Sequence, residues 1–471
     1  MLLTVDIGTS SFKSALWDFD GNRLSFAALP LSINNDGVRY EADCGQWLRA
    51  FEACCQKLGN LAAVRAVIIS GNGPSLVPVL EEPSIGEEGL CLAAENARLW
   101  LDRRAVKYQA EVSALMGGFV DAGFFLPKIL GIKNDEEELY RRTKYFLGCP
   151  EYLACALTGE ARSVFPSDGF DRWFWNDSVL EKLELDAAKF PAFIRPGDAY
   201  GTILPYVSRH FGFTKNIPVI SGGPDFFAAI LGAGVMKPGQ SCDRTGSSEG
   251  INLCTQNRIN DERLMSYGHP VKPYWNLSGI ISTTGKAIEW CRDLLGLSNF
   301  EDFFTLARGS EPGSGGLVFL PYLAGERAPI WDPAALSLWR GMSLSTGRRE
   351  LANSVLEGIG FAIRDVITVM EEAGAGADQL HVTGGLAANA ALNQIKADIT
   401  GREILEPLQK EAELLGLAVI GACSLGKFSS FAEACAAMVR IEKTFSPDPK
   451  NTALYDQLFA EYRESQTMCK L

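Results

Sequence analysis

Several short segments of the chain set carboxylates beside turns of small residues, a pattern suited to phosphate and hydroxyl chemistry. Gly222-Gly223-Pro224-Asp225 ends a short apolar run and leaves Asp225 at the mouth of a strand-to-helix turn. A carboxylate there can accept a hydroxyl proton during phosphoryl transfer. The same residue can equally cap the helix that follows. Gly8-Thr9-Ser10-Ser11 offers consecutive backbone N–H groups and hydroxyls to a phosphate, and Asp6 just before it suits a hydrated magnesium ion. Ordinary hairpins use the same turn chemistry. A second Gly/Ser/Thr turn, Arg244-Thr245-Gly246-Ser247-Ser248, follows Asp243. Gly384-Gly385, leading through Leu386-Ala387-Ala388 to Asn389, is a turn of small residues against which a flat base could lie. A tight strand-to-helix turn explains it as well.

Two named motifs meet these segments. Thr284-Gly285-Lys286 ends like a phosphate-binding P-loop, but Gly279 lies one residue too far back and Ala287 replaces the hydroxyl residue. Gly246-Ser247-Ser248-Glu249-Gly250 matches G-x-S-x-G, the nucleophile elbow of serine hydrolases. That reading needs a late histidine on a loop. His381 sits in the apolar run Leu380-His381-Val382 and reads as a strand residue, so the hydrolase stays a remote alternative.

The elements that must carry these turns are legible from periodicity. Leu2 to Ile7 and Phe12 to Asp18 read as the strands of a hairpin. Cys44 to Leu58 has helical spacing, with Trp47, Leu48, Phe51, Cys55 and Leu58 on one face. Val64 to Ser70 is a buried strand that stops at Gly71-Asn72-Gly73-Pro74. Ile217 to Ser221 is a strand, followed by a helix from Phe226 to Leu231. Gly239 to Asp243 and Ile251 to Cys254 make a second strand–turn–strand. Trp275 to Ser282 and Leu380 to Thr383 are further strands, with helices expected after Gly285, from about Asn389 to Thr400, and over Leu414 to Leu425. Glu81 to Gly89 and Gly309 to Gly316 read as polar or Gly-rich insertions. The two hairpins, Asp6 to Ser11 and Asp243 to Ser248, form a weak internal repeat. They place a domain boundary near residues 232–242, giving domains 1–235 and 236–471.

Composition narrows the partners. The chain has 471 residues, 47% apolar and 21% charged, which suits large folded domains and excludes a disordered or fibrous chain. Lys+Arg is 44 and Asp+Glu is 57, for a net charge of −13. A field of that sign disfavours nucleic acid and acidic membranes, yet local N–H groups and a metal ion still admit an anionic ligand. The 12 cysteines are scattered without a C-x-x-C, and the 3 histidines are far apart, so no zinc site is expected. Buried free thiols in a reducing compartment follow. The N-terminus meets Asp6 without a basic segment and no apolar stretch is long enough to span a bilayer, so a cytoplasmic protein is expected.

Taken in order, these residues resemble the FGGY carbohydrate kinases along nearly the whole chain. Asp6 to Lys13 (D-I-G-T-S-S-F-K) looks like the family's first phosphate motif, and R-T-G-S-S-E-G from Arg244 like its second. Asp225, in G-G-P-D-F-F-A-A, falls at the place of the family's catalytic aspartate. F-L-P-Y-L-A-G-E-R-A-P from Phe319 resembles its signature segment, T-G-G-L-A-A-N-A from Thr383 its adenosine motif, and E-A-E-L-L-G-L-A from Glu411 its late helix.

The resemblance implies an α/β fold, actin-like and ribonuclease-H-like, of two domains with ATP in the cleft between them. It implies transfer of the γ-phosphoryl of ATP to a hydroxyl of a ketose, pentulose or hexulose, or of a polyol. Asp225 would be the base, and Asp6 with Asp225 would hold Mg2+. Gly8, Thr9, Ser10, Lys13, Gly246 and Ser247 would serve the phosphates, and Gly285, Gly384, Gly385 and Asn389 the nucleotide. Trp100-Leu101-Asp102-Arg103 resembles the family's W-N-D-x-R, so Asp102 and Asn72, with Asp225, are the expected sugar residues. Asn72-Gly73-Pro74-Ser75 matches neither the Met-His-Gly of xylulose kinases nor the Arg-Glu of glycerol kinases, and Arg244 and Glu249 alter the second phosphate motif. A member of the fold that senses sugar or nucleotide without turnover is therefore the alternative from another class. The expected partner is a small sugar; a homodimer is compatible with the resemblance.

Overall fold

Leu2–Ile7 (β1) is buried at every position, and it forms the centre of a sheet. The computed structural model describes residues 1–86 and 89–469. β1 pairs antiparallel with Ser11–Trp17 (β2), which pairs with Arg23–Pro30 (β3). The helix Cys44–Leu58 (α1) starts where Asp43 accepts from Gly45 N, and its buried face carries Trp47, Leu48, Phe51, Cys55 and Leu58. The chain then returns as Ala66–Gly71 (β4), parallel to β1. After the helices Phe125–Asp135 (α2) and Cys149–Thr158 (α3), Ala199–Thr202 (β5) and Pro218–Pro224 (β6) complete the order β5-β6-β4-β1-β2-β3. Asp225–Gly232 (α4) follows β6 without a gap.

A second sheet repeats this connectivity. Gln240–Thr245 (β7) pairs antiparallel with Glu249–Thr255 (β8), and β8 with Trp275–Ile281 (β10), which also pairs with Met265–Gly268 (β9). Gly285–Leu294 (α5) and the long helix Arg348–Glu372 (α6) precede Gln379–Gly384 (β11), which is parallel to β7. Ala390–Thr400 (α7) leads to Glu403–Pro407 (β12), parallel to β11, and Ile441–Phe445 (β13) closes the order β9-β10-β8-β7-β11-β12-β13.

Two compact units result: Met1–Gly232 with Glu413–Met438, and Ala233–Ala412 with Val439–Leu471. The return of Glu413–Met438 to the first unit is a connection that a single cut at residue 235 leaves out. Its basis is the helix Ala412–Ser424 (α8), which is apolar on nearly all sides and so must be covered. A Cβ at Gly416 would lie 1.8 Å from Ala228 O, and one at Gly421 would lie 2.5 Å from Ile68 Cδ1, so α8 sits directly on α4 and β4.

The insertion expected at Glu81 to Gly89 carries a strand pair, Ser84–Gly86 with Gly89–Cys91; Glu87 and Glu88 lie outside the described residues. The cysteines among the described residues are all free thiols, and all are buried except Cys91 and the partly exposed Cys423. No helix among the described residues is long and apolar enough to cross a membrane.

Candidate active site

In the first unit, chemistry gathers at the C-terminal ends of β1, β4 and β6, the edge where open α/β sheets bind ligands. Asp6, only 7% exposed, lies level with Ser70 of β4, and Ser70 Oγ donates to Gly223 O at 2.8 Å. Gly71 is level with both Ile7 and Pro224, so Asp225 starts its helix beside the same edge. The Asp225 carboxylate accepts from Phe226 N at 2.7 Å. It therefore belongs to the first turn of α4, where the helix N-terminus favours its charge. Cys149 of α3 lies within Coulombic reach of both aspartates. Burial, and then the charges of Glu151, Asp6 and Asp225, push its thiol well above the usual range.

The turn after β1 is closed by Gly8 N donating to Ser11 O at 2.9 Å. Trp100 Nε1 donates to Thr9 Oγ1 at 3.2 Å, and Ser10 is exposed. Lys13 stands on β2 directly opposite Asp6, so it lies beside the turn rather than in it.

Asn72 and Asp102, the expected sugar residues, are engaged in the scaffold. Asn72 Nδ2 donates to Ile7 O at 2.9 Å, and its Oδ1 accepts from Ser75 Oγ at 2.5 Å. Asp102 is fully buried and accepts from Tyr40 N and from Arg104 Nε and Nη2, the last at 2.8 Å. Burial opposes its charge, but these donors and the Arg104 guanidinium hold its carboxyl below the usual range. Both residues therefore order the loops around the edge. Lys128 of α2 supports the same loops from beneath, donating to Pro74 O at 2.8 Å and Arg98 O at 3.1 Å. Sequence reading passed over it, although a lysine between the buried Leu126 and Ile129 was a signal.

In the second unit, three loops meet at the tip Gly246-Ser247-Ser248. Gly285 N donates to Gly246 O at 3.0 Å, and Thr284 N donates to Ser247 O at 3.1 Å. A Cβ on Gly285 would stand 2.3 Å from Gly246 O, so no side chain fits between α5 and the tip. Thr245 Oγ1 donates to Thr383 O at 2.8 Å and accepts from Leu386 N at 3.2 Å, which joins the hairpin to the turn after β11. A Cβ on Gly385 would meet nothing within 4 Å, so the chain is open there. Asn389 caps α7, its Oδ1 accepting from Leu392 N at 3.0 Å. It shapes the turn before α7 through that bond. Glu326 of the signature segment holds the approach to Gly285, accepting from Ser282 N and Arg327 N, each at 2.7 Å. Burial pushes its carboxyl up to about 7.

Two expectations need correction. Arg244 and Glu249 are strand residues, because β7 runs through Thr245 and β8 begins at Glu249. Glu249 is 1% exposed and pairs with the buried Lys396, so it does not line the Gly246-Ser247-Ser248 turn. The charge of Glu249 therefore no longer supports leaving open a protein without turnover. The G-x-S-x-G segment is a strand–turn–strand, whereas a nucleophile elbow needs strand–turn–helix. His381 is 3% exposed within β11, with Nδ1 2.7 Å from Ala233 O. The hydrolase reading fails on both counts.

A duplicated sheet with a small-residue hairpin at the head of each half defines the actin-like ATPase fold. The chain belongs to the FGGY family of carbohydrate kinases: the family's N-terminal domain matches residues 1–232 and its C-terminal domain residues 244–425. It is 27% identical to a xylulose kinase of Lactococcus lactis over 98% of this chain and 96% of that protein. It is 26% identical to glycerol kinase 2 of Thermotoga maritima over 98% of this chain and 97% of that protein. Among solved structures, a gluconate kinase of Lactobacillus acidophilus superposes with a TM-score of 0.85 at 22% identity, covering 99% of this chain and 97% of that one. Plasmodium falciparum glycerol kinase with ADP gives 0.84 at 18% identity, covering 100% and 98%. The protein is a phosphotransferase that acts on a sugar hydroxyl.

Proposed function

We propose that the enzyme uses ATP and Mg2+ to phosphorylate a ketose, a pentulose or hexulose, with polyols as the neighbouring acceptor class. The observation that carries this reading is Asp225 at the head of α4, on the same sheet edge as Asp6. The full-length similarity to proteins named xylulose kinase supports the ketose. ATP supplies the transferred phosphoryl group and magnesium neutralises its charge. Mg2+ takes one or two carboxylates and keeps several waters, which suits a donor set of Asp6 and Asp225. Asp225 takes the proton from the attacking sugar hydroxyl. Gly8 closes the first turn through Ser11 O, the N–H groups of Thr9 and Ser10, with Lys13 beside them, bind phosphate oxygens, and so do those of Gly246 and Ser247. Gly385 leaves open space for the adenosine, Gly285 and Gly384 let their loops close on Gly246 and Thr245 beside it, and Asn389 holds the turn that faces it. Asn72 and Asp102 act on the sugar through the loops they order. Cytoplasmic location agrees with the free thiols.

The test is ADP release by the purified protein across a panel of ketopentoses, ketohexoses and polyols. Release should depend on one or a few ketoses, and Asp225→Ala should lower kcat by about a thousandfold while the protein still melts in one cooperative step. Failure to phosphorylate any acceptor, with ATP bound, overturns the reading.

A further inference from the structure

Directly behind the second phosphate turn lies a buried charge cluster that the reaction as described does not use. Lys396 Nζ of α7 donates to Asp243 Oδ2 of β7 at 2.7 Å and also to Glu249 Oε1 of β8. The three side chains are 0%, 0% and 1% exposed. Glu249 lies opposite Thr245, and Asp243 lies two residues before it, so both carboxylates face the same side of the hairpin. Lys396 therefore ties both strands of the stem to the helix that leaves the Gly384–Asn389 turn.

The position gives the cluster two effects. Its bonds are directional, and they cross-link two strands and a helix one residue behind the exposed tip. An apolar layer would resist separation but would not set direction. The second effect is electrostatic. Two carboxylates behind a phosphate-binding turn would repel the triphosphate, and in a water-poor interior that repulsion is weakly screened. The ammonium between them offsets one of the two charges, and burial, with Asp243 beside it, pushes the Glu249 carboxyl well above its usual range, toward the neutral acid. Burial opposes the charge on Lys396, yet Asp243 and Glu249 outweigh it and hold its pKa above the usual lysine value.

We infer that Lys396, with Asp243 and Glu249, is a positioning residue for phosphoryl transfer: it aims the Gly246-Ser247-Ser248 tip and balances the charge behind it. This rests on the kinase reading given above. The acceptor for the test is the ketose with the highest turnover in the panel.

Lys396→Met should lower kcat at least tenfold and raise KM for ATP at least fivefold, with KM for the sugar within twofold. The neutral triple variant Lys396→Met/Asp243→Asn/Glu249→Gln, which leaves no unpaired buried charge, serves if the single variant does not fold. It should recover KM for ATP to within twofold and still show the tenfold loss of kcat, because the repulsion is removed and the directional bonds are not restored. Amide hydrogen exchange at Gly246–Ser248 should quicken at least tenfold in either variant, while the rest of β8 keeps its protection. Wild-type kcat in the triple variant, with unchanged exchange at the tip, overturns the proposal. An equal rise in both KM values also overturns it. If the wild-type protein turns over no acceptor, the kinase reading fails, and the exchange measurement still decides whether the cluster aims the tip.

Discussion

The two hairpins share a frame and differ in what fills it. β1 lies between antiparallel β2 and parallel β4, as β7 lies between β8 and β11. Ile7 is level with Gly71, and Thr245 with Gly384. Two residues before Ile7 stands Val5 and opposite it stands Phe12, both with no exposed surface. At the matching places of the second hairpin stand Asp243 and Glu249, closed by Lys396. One topology is thus held by an apolar stem in one unit and by an ionic stem in the other. The apolar stem draws its strength from area removed from water, which is indifferent to direction. The ionic stem adds little net stability for its burial, since desolvation offsets most of the attraction, but it fixes geometry through hydrogen bonds. Two stems of such different kinds should break in different ways.

The largest expected stability loss belongs to the apolar stem. Phe12→Ala removes a fully buried ring and should cost about 3–5 kcal/mol, read as a shift of the denaturation midpoint at unchanged slope. The folded fraction should keep kcat within about threefold. A tenfold fall in kcat without loss of stability would erase the contrast with Lys396. A second, smaller pair tests the frame at matching glycines. Gly384 has φ +88°, and a Cβ there would lie 2.0 Å from Thr245 O, a backbone atom that cannot turn aside. Gly384→Ala should cost about 2–5 kcal/mol from backbone strain and overpacking. A Cβ on Gly71 would meet the Cys149 Sγ, a side-chain atom, at 2.8 Å, and its nearest backbone atom, Ile7 O, only at 3.1 Å. Gly71→Ala should therefore cost less, about 1–3 kcal/mol by the overpacking effect alone. Equal losses in urea titrations of the two variants would show that the halves tolerate crowding alike.

Much of this frame was legible in the sequence because it depends on local pattern. Apolar runs ending in glycine marked β1, β4, β6 and β11, and the Gly/Ser/Thr turns marked both hairpins. The face of α1 was visible in its spacing. What escaped was pairing between residues distant in the chain. Lys396 sits 153 residues from Asp243, and only the parallel register of β7 and β11 brings α7 over the stem. Local pattern also made Glu249 look like a turn charge, whereas the three-residue tip ends before it. Asp102 and Asn72 had the residue types of sugar ligands, and their bonds to Arg104 and Ser75 were not visible in the sequence. The membership of α8 in the first unit depends on close packing against Ala228 and Ile68, which periodicity does not report.

The smallest effect concerns pH, and it separates burial from hydrogen bonding in the unit with the ionic stem. Glu357 of α6 is 1% exposed and accepts from Gly313 N at 2.7 Å, Ser314 Oγ at 2.7 Å, Asn353 Nδ2 at 2.9 Å and Tyr455 OH at 2.8 Å. Those donors favour the carboxylate. Burial opposes it more strongly and pushes the carboxyl up to about 7 from 4.5. Between those values the folded protein binds more protons at Glu357 than the unfolded chain does, so its contribution is full below about 4.5 and is lost as the pH rises through about 7. Glu357→Gln imitates the neutral acid and does not titrate. Relative to wild type, the variant should gain about 1–3 kcal/mol of stability between pH 4.5 and 7.5, measured by urea denaturation across that range. A variant that instead loses ground as pH rises would mean that the four donors outweigh burial and that the ionised form is the one the fold prefers. Glu151 of α3, which burial also pushes up to about 7, has, among the described residues, Val164 N as its donor from another element, at 3.3 Å. Glu151→Gln should therefore show the gain at least as clearly as Glu357→Gln, and a smaller gain there would show that burial alone does not govern these carboxyls.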